Sequence, residues 1–242
     1  MNIALTMAGK YSRFKLFGNK VPKYLLPLGA ETILAEVIKK FKTSCPECHL
    51  YLIANRNDQI FFPIVKSIMR MYNVNEKSLI YIDDTSSQLE TALNLNELLQ
   101  KGEHHSPIAF SNIDTILFNR EEFFEKLKKC DKKNAILDTF IGGSNQYSYA
   151  RIDSSDRVVD VADKSIISNN ACSGLYGFGS FLEMSMLAEE LLRKDGESNF
   201  TSLYKHYLNN GRDVSSHSIS QVGSTIVLGT PEEYLINIHR FK

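Results

Sequence analysis

Short apolar runs alternate with helix-like periodicities along most of this chain. The strand-like runs are residues 3–6, "LYLIA" at 50–54, "LIYI" at 79–82, "IAF" at 108–110 and "AILDTF" at 135–140. Between the first two runs, residues 32–41 carry apolar side chains with helical spacing, at Ile33, Leu34, Val37, Ile38 and Phe41. Strands that alternate with helices are typical of a layered α/β domain with a largely parallel sheet.

The rest of the pattern completes this prediction. Further helices are predicted at 58–71, 88–99, 121–130, 181–192 and 200–208. Strand 224–229 precedes a closing helix that Thr230 and Pro231 open as cap and first-turn residue. Residues 147–178 alternate and contain turn residues, which predicts a β-rich insertion able to wall a pocket. We therefore predict a three-layer α/β/α sandwich with a mostly parallel, mixed central sheet and a small β-rich insertion.

The composition and charge of the chain argue against nucleic acid and membranes as binding partners. The 242 residues include 28 Lys and Arg and 28 Asp and Glu, so the formal net charge is zero and no global field favours a polyanion. No run of about 18 apolar residues occurs, and the N-terminal apolar run leads directly into a polar turn. We expect one compact cytoplasmic domain that binds neither nucleic acid nor a membrane; a homodimer stays open.

Four cysteines are too few and too scattered to form a disulfide framework. "CPECH" at residues 45–49 matches the C-x-x-C-H pattern of haem attachment, and its C-x-x-C also suits zinc or redox chemistry. Zinc would need two further ligands nearby in sequence, which are missing. We interpret the segment as a helix-to-strand turn that contains Pro46.

The loop after the first strand carries the strongest chemical signal. In an open α/β sheet this is a common place for a phosphate. "MAGKYSRFKLFGNKVPK" supplies Ala8 and Gly9 for close backbone approach, and it carries five cations, Lys10, Arg13, Lys15, Lys20 and Lys23. It matches neither the Walker pattern nor the dinucleotide fingerprint. A solvated basic loop is the simpler alternative.

Five segments, in order along the chain, resemble the nucleotidyltransferases that activate sugar phosphates. "MAGKYSRF" with "KVPKYLLPLG" resembles (L/M)-A-G-x-G-(S/T)-R followed by P-K-x-L, and "TSSQLETAL" resembles a base-contacting T-x-G-Q-A-E-T segment. "SNIDTIL" resembles the N-x-D strand end that binds magnesium. "VVDVADKSIISNNACSGLYGF" resembles V-x-x-x-x-E-K with its following strand, and "VLGTPEEYL" resembles the closing G-T-P-E-E-Y.

This resemblance implies a nucleotide-diphosphosugar transferase fold of the GT-A-like type. It also implies an in-line displacement in which an acceptor phosphate attacks the α-phosphorus of a nucleoside triphosphate and pyrophosphate leaves. The implied catalytic residues are Arg13 for the β and γ phosphates, Lys23 for the α-phosphate, Asp114 for Mg²⁺ and Lys164 for the acceptor phosphate. Residues 1–120 would be the nucleotide-binding half and residues 121–242 the acceptor-binding half of the single domain.

The resemblance also implies the contacts of the two substrates. The implied nucleotide-binding residues are Met7, Ala8, Gly9, Lys10, Tyr11, Ser12, Ser87, Gln88 and Asn112. Asp163, Lys164 and Gly174 would contact the acceptor.

Several positions depart from the family pattern. Tyr11 occupies the usual second glycine of the loop, which predicts either a strained backbone, at about 1–3 kcal/mol, or a different path. Ser87 replaces a glycine, and Asp163 replaces the longer glutamate. Val227 stands where related enzymes often have a second metal-binding aspartate, for which Asp83 and Asp84 are candidate substitutes.

The predicted function is therefore nucleotidyl transfer to a small phosphorylated acceptor. "MAGKYSRF", "SNIDTILFN" and "ISNNACSGLYGF" are similar to capsule-cluster nucleotidyltransferases, which implies transfer of CMP from CTP to L-glutamine phosphate in capsule polysaccharide modification. A sugar 1-phosphate acceptor is the alternative, and a non-catalytic nucleotide sensor of the same fold is the second. A glycosyltransferase would usually carry a D-x-D metal motif, and no predicted strand end of this sequence shows one.

Overall fold

A central β-sheet with helices on both faces forms the core of this protein. The computed structural model describes residues 1–16, 18, 20–195 and 198–241. The strands are β1 Asn2–Met7, β2 Pro27–Leu28, β3 Glu31–Thr32, β4 His49–Asn55, β5 Leu79–Ile82, β6 Ile108–Asn112, β7 Thr115–Leu117, β8 Ala135–Ile141, β9 Tyr149–Ile152, β10 Val158–Ala162, β11 Asn170–Phe178, β12 Val214–Ile219 and β13 Thr225–Val227. The α-helices are α1 Ser12–Leu16, α2 Ile33–Ser44, α3 Phe62–Met71, α4 Gln88–Leu93, α5 Glu121–Lys128, α6 Phe181–Asp195, α7 Phe200–Asn209 and α8 Pro231–Asn237.

The main sheet is mixed, with parallel pairing among β1, β4, β5 and β6. Within the described residues nine strands form it, in the order β10-β9-β11-β6-β1-β4-β5, with β8 pairing both β11 and β12. β1, β4, β5 and β6 run parallel to one another, whereas β11 is antiparallel to β6 and β8. β13 and β7 form a separate antiparallel pair.

Side-chain alternation in β1 explains the three layers. Ile3 and Leu5 belong to the apolar cluster that α2, α3 and α5 cover, whereas Ala4 belongs to the cluster that α4, α6 and α7 cover. Successive side chains of a strand point to opposite faces, so one short strand contributes to both apolar layers. The predicted three-layer α/β/α architecture is confirmed.

The parallel strands bring the chemically interesting loops together. β1, β4 and β6 end at the same edge of the sheet, at Met7, Asn55 and Asn112. The basic loop follows the first of these strands, and Asp114 follows the third by two residues. Two segments about 100 residues apart therefore meet at one edge of the sheet.

Two predicted helices are shorter than their apolar pattern. α3 begins at Phe62 rather than residue 58, because Arg56–Phe61 forms 3-10 turns and Pro63 lies in the first turn of the helix. α4 ends at Leu93, and a 3-10 segment continues from Asn94 to Glu97. The Asn94 side-chain amide donates to the carbonyl of Glu90 at 2.8 Å, a side-chain bond that competes with helix propagation.

Strand β12 was not predicted from the sequence. The predicted β-rich insertion at residues 147–178 also differs from the structure. The polar sequence "VSSHSI" shows no clear alternation, yet it pairs in parallel with β8 at an edge of the sheet. Of residues 147–178, only β9 and β10 extend the sheet outwards; β11 is an interior strand between β6 and β8. Residues 224–229 contain a strand of three residues, β13.

The cysteine segment is a turn between α2 and β4, as predicted. The Cys48 backbone N–H donates to the Cys45 carbonyl at 3.0 Å, and both side chains are buried. None of the described helices combines the length and apolar character that crossing a bilayer requires.

A buried polar cluster around Asp138 ties the β7–β13 pair to the main sheet. The Asp138 carboxylate accepts from Arg120 Nε at 2.9 Å, from Ser173 Oγ at 2.5 Å and pairs with His217 Nδ1 at 2.6 Å. Arg120 also donates to the Phe118 carbonyl at 2.5 Å and to Thr225 Oγ1 at 2.5 Å. Arg120 is 1% exposed and Asp138 is 0% exposed, so this charge pair is compensated entirely by protein groups.

Candidate active site

A large cavity lies at the carboxyl edge of β1 and β6. Its volume is about 580 Å³, within the usual range for small-molecule sites. It is lined by Thr6, Met7, Ala8, Gly9, Lys10, Tyr11, Lys23, Tyr24, Thr85, Ser86, Ser87, Gln88, Thr91, Asn112, Ile113 and Asp114. The basic loop therefore forms one wall of this large cavity and the start of α4 forms another.

A small cavity of about 200 Å³ adjoins the large one. Most of its lining comes from residues 146–176 and from the segment that leads into α8. The full lining is Arg13, Asn112, Asp114, Thr115, Gln146, Tyr147, Ser148, Cys172, Ser173, Gly174, Tyr176, Val227, Gly229, Thr230 and Glu233. Asn112 and Asp114 line both cavities, so the two spaces meet at the end of β6.

An ion pair stands at this junction. Lys23 Nζ lies 2.5 Å from Asp114 Oδ2, and the two side chains are 18% and 20% exposed. The short 3-10 segment Lys23–Leu25 after Pro22 places the lysine, and the turn between β6 and β7 places the aspartate. A cation and a carboxylate are thus available together where the two cavities join.

Tyr11 is tethered rather than displaced. Its backbone has φ of +38°, in the left-handed region that the sequence anticipated for a residue at a glycine position. Its hydroxyl donates to Asp58 Oδ1 at 2.6 Å, and the Tyr24 hydroxyl donates to Asp58 Oδ2 at 3.1 Å. Burial, together with the bond to Asp58, raises the pKa of Tyr11, so the hydroxyl remains a donor at neutral pH. The buried Asp58 therefore holds two tyrosines that line the large cavity.

The other end of the loop is held through β4. Asn55 donates its side-chain amide to the Ala8 carbonyl at 3.1 Å and to Asp84 Oδ1 at 2.8 Å. Lys10 Nζ lies 3.3 Å from Asp84 Oδ2. The hydrogen bond from Asn55, and then that from Lys10, lower the pKa of Asp84, which stays ionised beside the loop. Asp83 pairs with Arg56 at 3.0 Å, so the two candidate substitute carboxylates both have cationic partners, and neither lines the large or the small cavity.

A hydrogen bond between Gln88 and Asn112 lies where the two cavities meet, and Gly174 packs against Asn112. Gln88 Nε2 donates to Asn112 Oδ1 at 2.7 Å, while the Phe200 backbone N–H donates to Gln88 Oε1 at 3.4 Å. Gly174 has φ of +87°, and a Cβ there would lie 2.9 Å from Asn112 Nδ2. Only glycine fits this approach of β11 to β6 without moving the asparagine.

Arg13 points towards the small cavity, where its Nη1 donates to Gln146 Oε1 at 2.9 Å. Three of the predicted site residues, unlike Arg13, line neither cavity. Ser12 begins α1, and Asp163 and Lys164 lie on an exposed bend after β10. Asp163 accepts from Ser148 Oγ at 2.7 Å, which places it at the rim of the small cavity.

Several residues that line or support the two cavities were not predicted as site residues. Asp58 and Asn55 hold the loop from β4 and the turn after it, and Gln146 and Glu233 line the small cavity. Glu233 did carry a signal, because it follows Thr230 by three residues, but that spacing identifies a helix cap. Nothing in the one-dimensional pattern connects Asp58, Asn55 or Gln146 with the basic loop, whereas Glu233 lies in the segment that resembles the closing G-T-P-E-E-Y.

The junction offers one carboxylate for a magnesium ion. No group of three or more His, Cys, Asp and Glu side chains could hold a metal ion within the part of the chain that the structure describes. Mg²⁺ normally keeps several waters and binds through one or two carboxylates plus substrate phosphates. Asp114, on the wall common to both cavities, can supply such a carboxylate.

No protein-family model matches this chain, and no curated protein matches it. Solved structures with similar folds include the nucleoside-diphosphate-sugar pyrophosphorylase of Vibrio cholerae RC9, at 22% identity and a TM-score of 0.80, over 99% of this chain and 100% of that one. A Bacillus anthracis protein provisionally assigned as a glucose-1-phosphate thymidylyltransferase, in complex with a sucrose, has 17% identity, a TM-score of 0.79 and coverage of 99% and 94%.

A UDP-glucose pyrophosphorylase in complex with UDP-glucose is similar to the same extent, with 14% identity, a TM-score of 0.78 and coverage of 99% and 97%. At these identities the likeness concerns the fold. The chain has the mixed α/β fold of the nucleotidyltransferase, GT-A-like type.

Proposed function

We propose that this protein is a nucleotidyltransferase that transfers a nucleoside monophosphate from a nucleoside triphosphate to a small phosphorylated acceptor and releases pyrophosphate. The observation that carries the proposal is the junction of two cavities at Asn112 and Asp114, with Lys23 bonded to Asp114. The large cavity has room for a nucleotide and the small one for the acceptor. The printed names of the similar structures describe the same class of reaction.

The reaction needs charge management more than a general base. A phosphate monoester has its second pKa near about 6, so the acceptor oxygen is already anionic at neutral pH. That oxygen forms a bond to the α-phosphorus while the bond from the α-phosphorus to the bridging oxygen of pyrophosphate breaks. The obstacles are repulsion between two anions and charge that builds on the leaving group, which fixed cations reduce.

The proposed roles combine the family resemblance with the positions of the cations. Lys23, on the wall of the large cavity, binds the α-phosphate and the bridging oxygen. Arg13, which lines the small cavity, binds the β and γ phosphates once it turns from Gln146 towards the junction. The backbone of Ala8 and Gly9 approaches the phosphates, and Lys164 reaches the acceptor phosphate from the exposed bend. Asp114 would hold a Mg²⁺ ion, which when bound neutralises charge on the triphosphate. The nucleotide-binding half, residues 1–120, and the acceptor-binding half, residues 121–242, are part of this proposal.

A sugar 1-phosphate is the favoured acceptor. The similar structures carry the names of sugar-nucleotide enzymes, and one of them is complexed with UDP-glucose. L-glutamine phosphate with CTP, in capsule polysaccharide modification, is the second candidate. The exposed Asp163 favours it, because this residue bonds Ser148 rather than reaching into the small cavity to bind a sugar hydroxyl.

The test is pyrophosphate release in a matrix of substrates. CTP, UTP, ATP, GTP and dTTP would each be incubated with Mg²⁺ and with glucose 1-phosphate, L-glutamine phosphate or no acceptor. We expect release that requires both substrates and stops when EDTA removes Mg²⁺. Pyrophosphate release without an acceptor would contradict the proposed reaction. So would the absence of release with every one of these pairs.

A binding measurement distinguishes a non-catalytic nucleotide sensor from a transferase. A nucleotide at 100 times its dissociation constant stabilises a protein by about 2.7 kcal/mol, which a thermal shift detects. A shift with one triphosphate but no pyrophosphate from any pair would support the sensor. A shift accompanied by acceptor-dependent pyrophosphate supports the transferase.

A further inference from the structure

One lone pair of the Glu233 carboxylate accepts no hydrogen bond from any described protein group. Its Oε2 accepts from the Thr230 backbone N–H at 2.9 Å and from Thr230 Oγ1 at 3.2 Å, and its Oε1 accepts from the Tyr147 hydroxyl at 2.9 Å. A carboxylate offers about four lone-pair positions, so one on Oε1 remains. Glu233 lines the small cavity, where a bound molecule can reach this oxygen.

The carboxylate also lacks an ionic partner among the described residues. The cation that lines the small cavity, Arg13, is bonded to Gln146 at 2.9 Å, and Lys23 is paired with Asp114. Burial, and then the Glu233 charge, raise the pKa of Tyr147, so its hydroxyl only donates to Glu233 at neutral pH. The negative charge of Glu233 is therefore directed at the space that the acceptor would occupy.

Glu233 lies close to the junction of the two cavities. A Cβ on Gly229 would lie 3.3 Å from Asp114 Oδ2 and 3.4 Å from Glu233 Oε2, so the two carboxylates flank one glycine. The acceptor phosphate is drawn towards Lys23, the cation paired with Asp114. The rest of a short acceptor then meets Glu233, which attracts hydrogen-bond donors and repels a second anion.

Resting on the proposed function, we propose that Glu233 selects acceptors whose non-phosphate end carries a hydrogen-bond donor, either an ammonium or a hydroxyl group. An acceptor that ends in a second carboxylate or phosphate is rejected. Glu233 is thus a specificity residue as well as the third residue of a capping box, and the capping role does not use up its charge.

The capping box permits a conservative test. Glutamine can replace glutamate at this position of the box, so Glu233→Gln retains the cap and removes the charge. Glu232→Gln is the matched control, because Glu232 is the adjacent exposed residue and does not line the small cavity. Both variants would be compared with the wild type by thermal unfolding before any kinetic measurement.

The readout is the KM of the acceptor that supports pyrophosphate release, against the KM of the nucleotide. For Glu233→Gln we expect the acceptor KM to rise about 10- to 100-fold for an ammonium-bearing acceptor and less for a hydroxyl-bearing one. The nucleotide KM of Glu233→Gln should equal that of the wild type. Glu232→Gln should keep the wild-type KM for both substrates. The size of the rise distinguishes the two donor types.

Three inhibitors of one shape test the selection directly. They are ethanolamine phosphate, ethylene glycol monophosphate and 2-phosphoglycolate, which end in an ammonium, a hydroxyl and a carboxylate. In the wild type the first or the second competes with the acceptor at least about tenfold more tightly than the third, and Glu233→Gln removes that difference.

The outcomes separate the two proposals. An active wild type whose acceptor KM and inhibitor order are unchanged by Glu233→Gln overturns the role of Glu233 alone. A wild type that releases no pyrophosphate with any nucleotide and acceptor overturns the proposed function and this role with it.

Discussion

Lys23 Nζ and Asp114 Oδ2 are 2.5 Å apart, although 90 residues separate them along the chain. The lysine comes from the loop after β1 and the aspartate from the turn after β6, and the parallel pairing of these two strands brings them together. In the proposed reaction this pair prepares each group for a new partner, since the ammonium can turn to a phosphate and the carboxylate to a metal ion.

Lys23→Ala should lower kcat about 10²- to 10³-fold, the usual effect of removing one preorganised electrostatic donor. The free energy of unfolding should fall as well, because both side chains are only about one-fifth exposed and Asp114 loses its partner in a largely buried position. Steady-state pyrophosphate release measures kcat. Lys20→Ala, on an exposed position of the same loop, is the control that should keep wild-type turnover. Equal rates for both variants would exclude Lys23 from the chemistry.

Tyr11→Phe should raise the KM of the nucleotide about fivefold to tenfold with little change in kcat. The substitution keeps the ring and removes the hydroxyl that donates to Asp58, so the loop loses its tether on one wall of the large cavity. Tyr72→Phe removes a comparable tyrosine–carboxylate bond, to Glu31 at 3.1 Å, away from both cavities. The control should leave the nucleotide KM unchanged, and a matching rise in both variants would point to a general loss of stability.

Arg120→Met should lower the free energy of unfolding by about 3–5 kcal/mol, because it leaves the buried Asp138 charge without its guanidinium partner. Urea denaturation measures this loss. Adding Asp138→Leu should recover part of it, since a buried ion pair can be replaced by apolar groups at little cost. Arg56→Met breaks the exposed pair with Asp83 and should cost less than about 1 kcal/mol. Similar losses for both arginines would show that burial does not set the difference.

Cys172 should resist alkylation between pH 7 and pH 9 although it lines the small cavity. Burial, followed by the charges of Asp138 and Asp163, raises the pKa of Cys172 to about 12, so the reactive thiolate is scarce at these pH values. At pH 8 we expect labelling by iodoacetamide roughly 10³-fold slower than for the same thiol in urea, where its pKa is near about 8.5. Peptide mass spectrometry assigns the labelled site. Rapid labelling of native Cys172 would show that the thiol is ionised in the folded protein.

Local patterns were sufficient for the parts of the site that lie next to one another in sequence. Among the residues from Met7 to Tyr11, all five line the large cavity, and Asn112 and Asp114 stand together at the end of a buried strand. The alternation of Ile3, Ala4 and Leu5 contains the information for two apolar layers. Short-range signals of this kind survive because period and strand ends are properties of a few consecutive residues.

Long-range partners left no such trace. The spacing of Asp58 indicates only the start of a helix, yet its carboxylate holds Tyr11 and Tyr24. β12 has the polar sequence of a loop, and its pairing with β8 overrides its weak propensity. Lys164 resembles a family residue by motif, but whether it reaches the acceptor depends on how an exposed bend is oriented.

By itself, the amino-acid sequence determined the α/β class and the basic loop after the first strand, and its family resemblance indicated the carboxylate that the loop would face. The tertiary structure alone decided that a helix-capping glutamate borders a second cavity, and that Tyr11 is anchored at a position usually held by glycine. The physical reason is that helix caps and strand periods are local, whereas a cavity is formed by segments whose contacts depend on the order and direction of strands in the sheet.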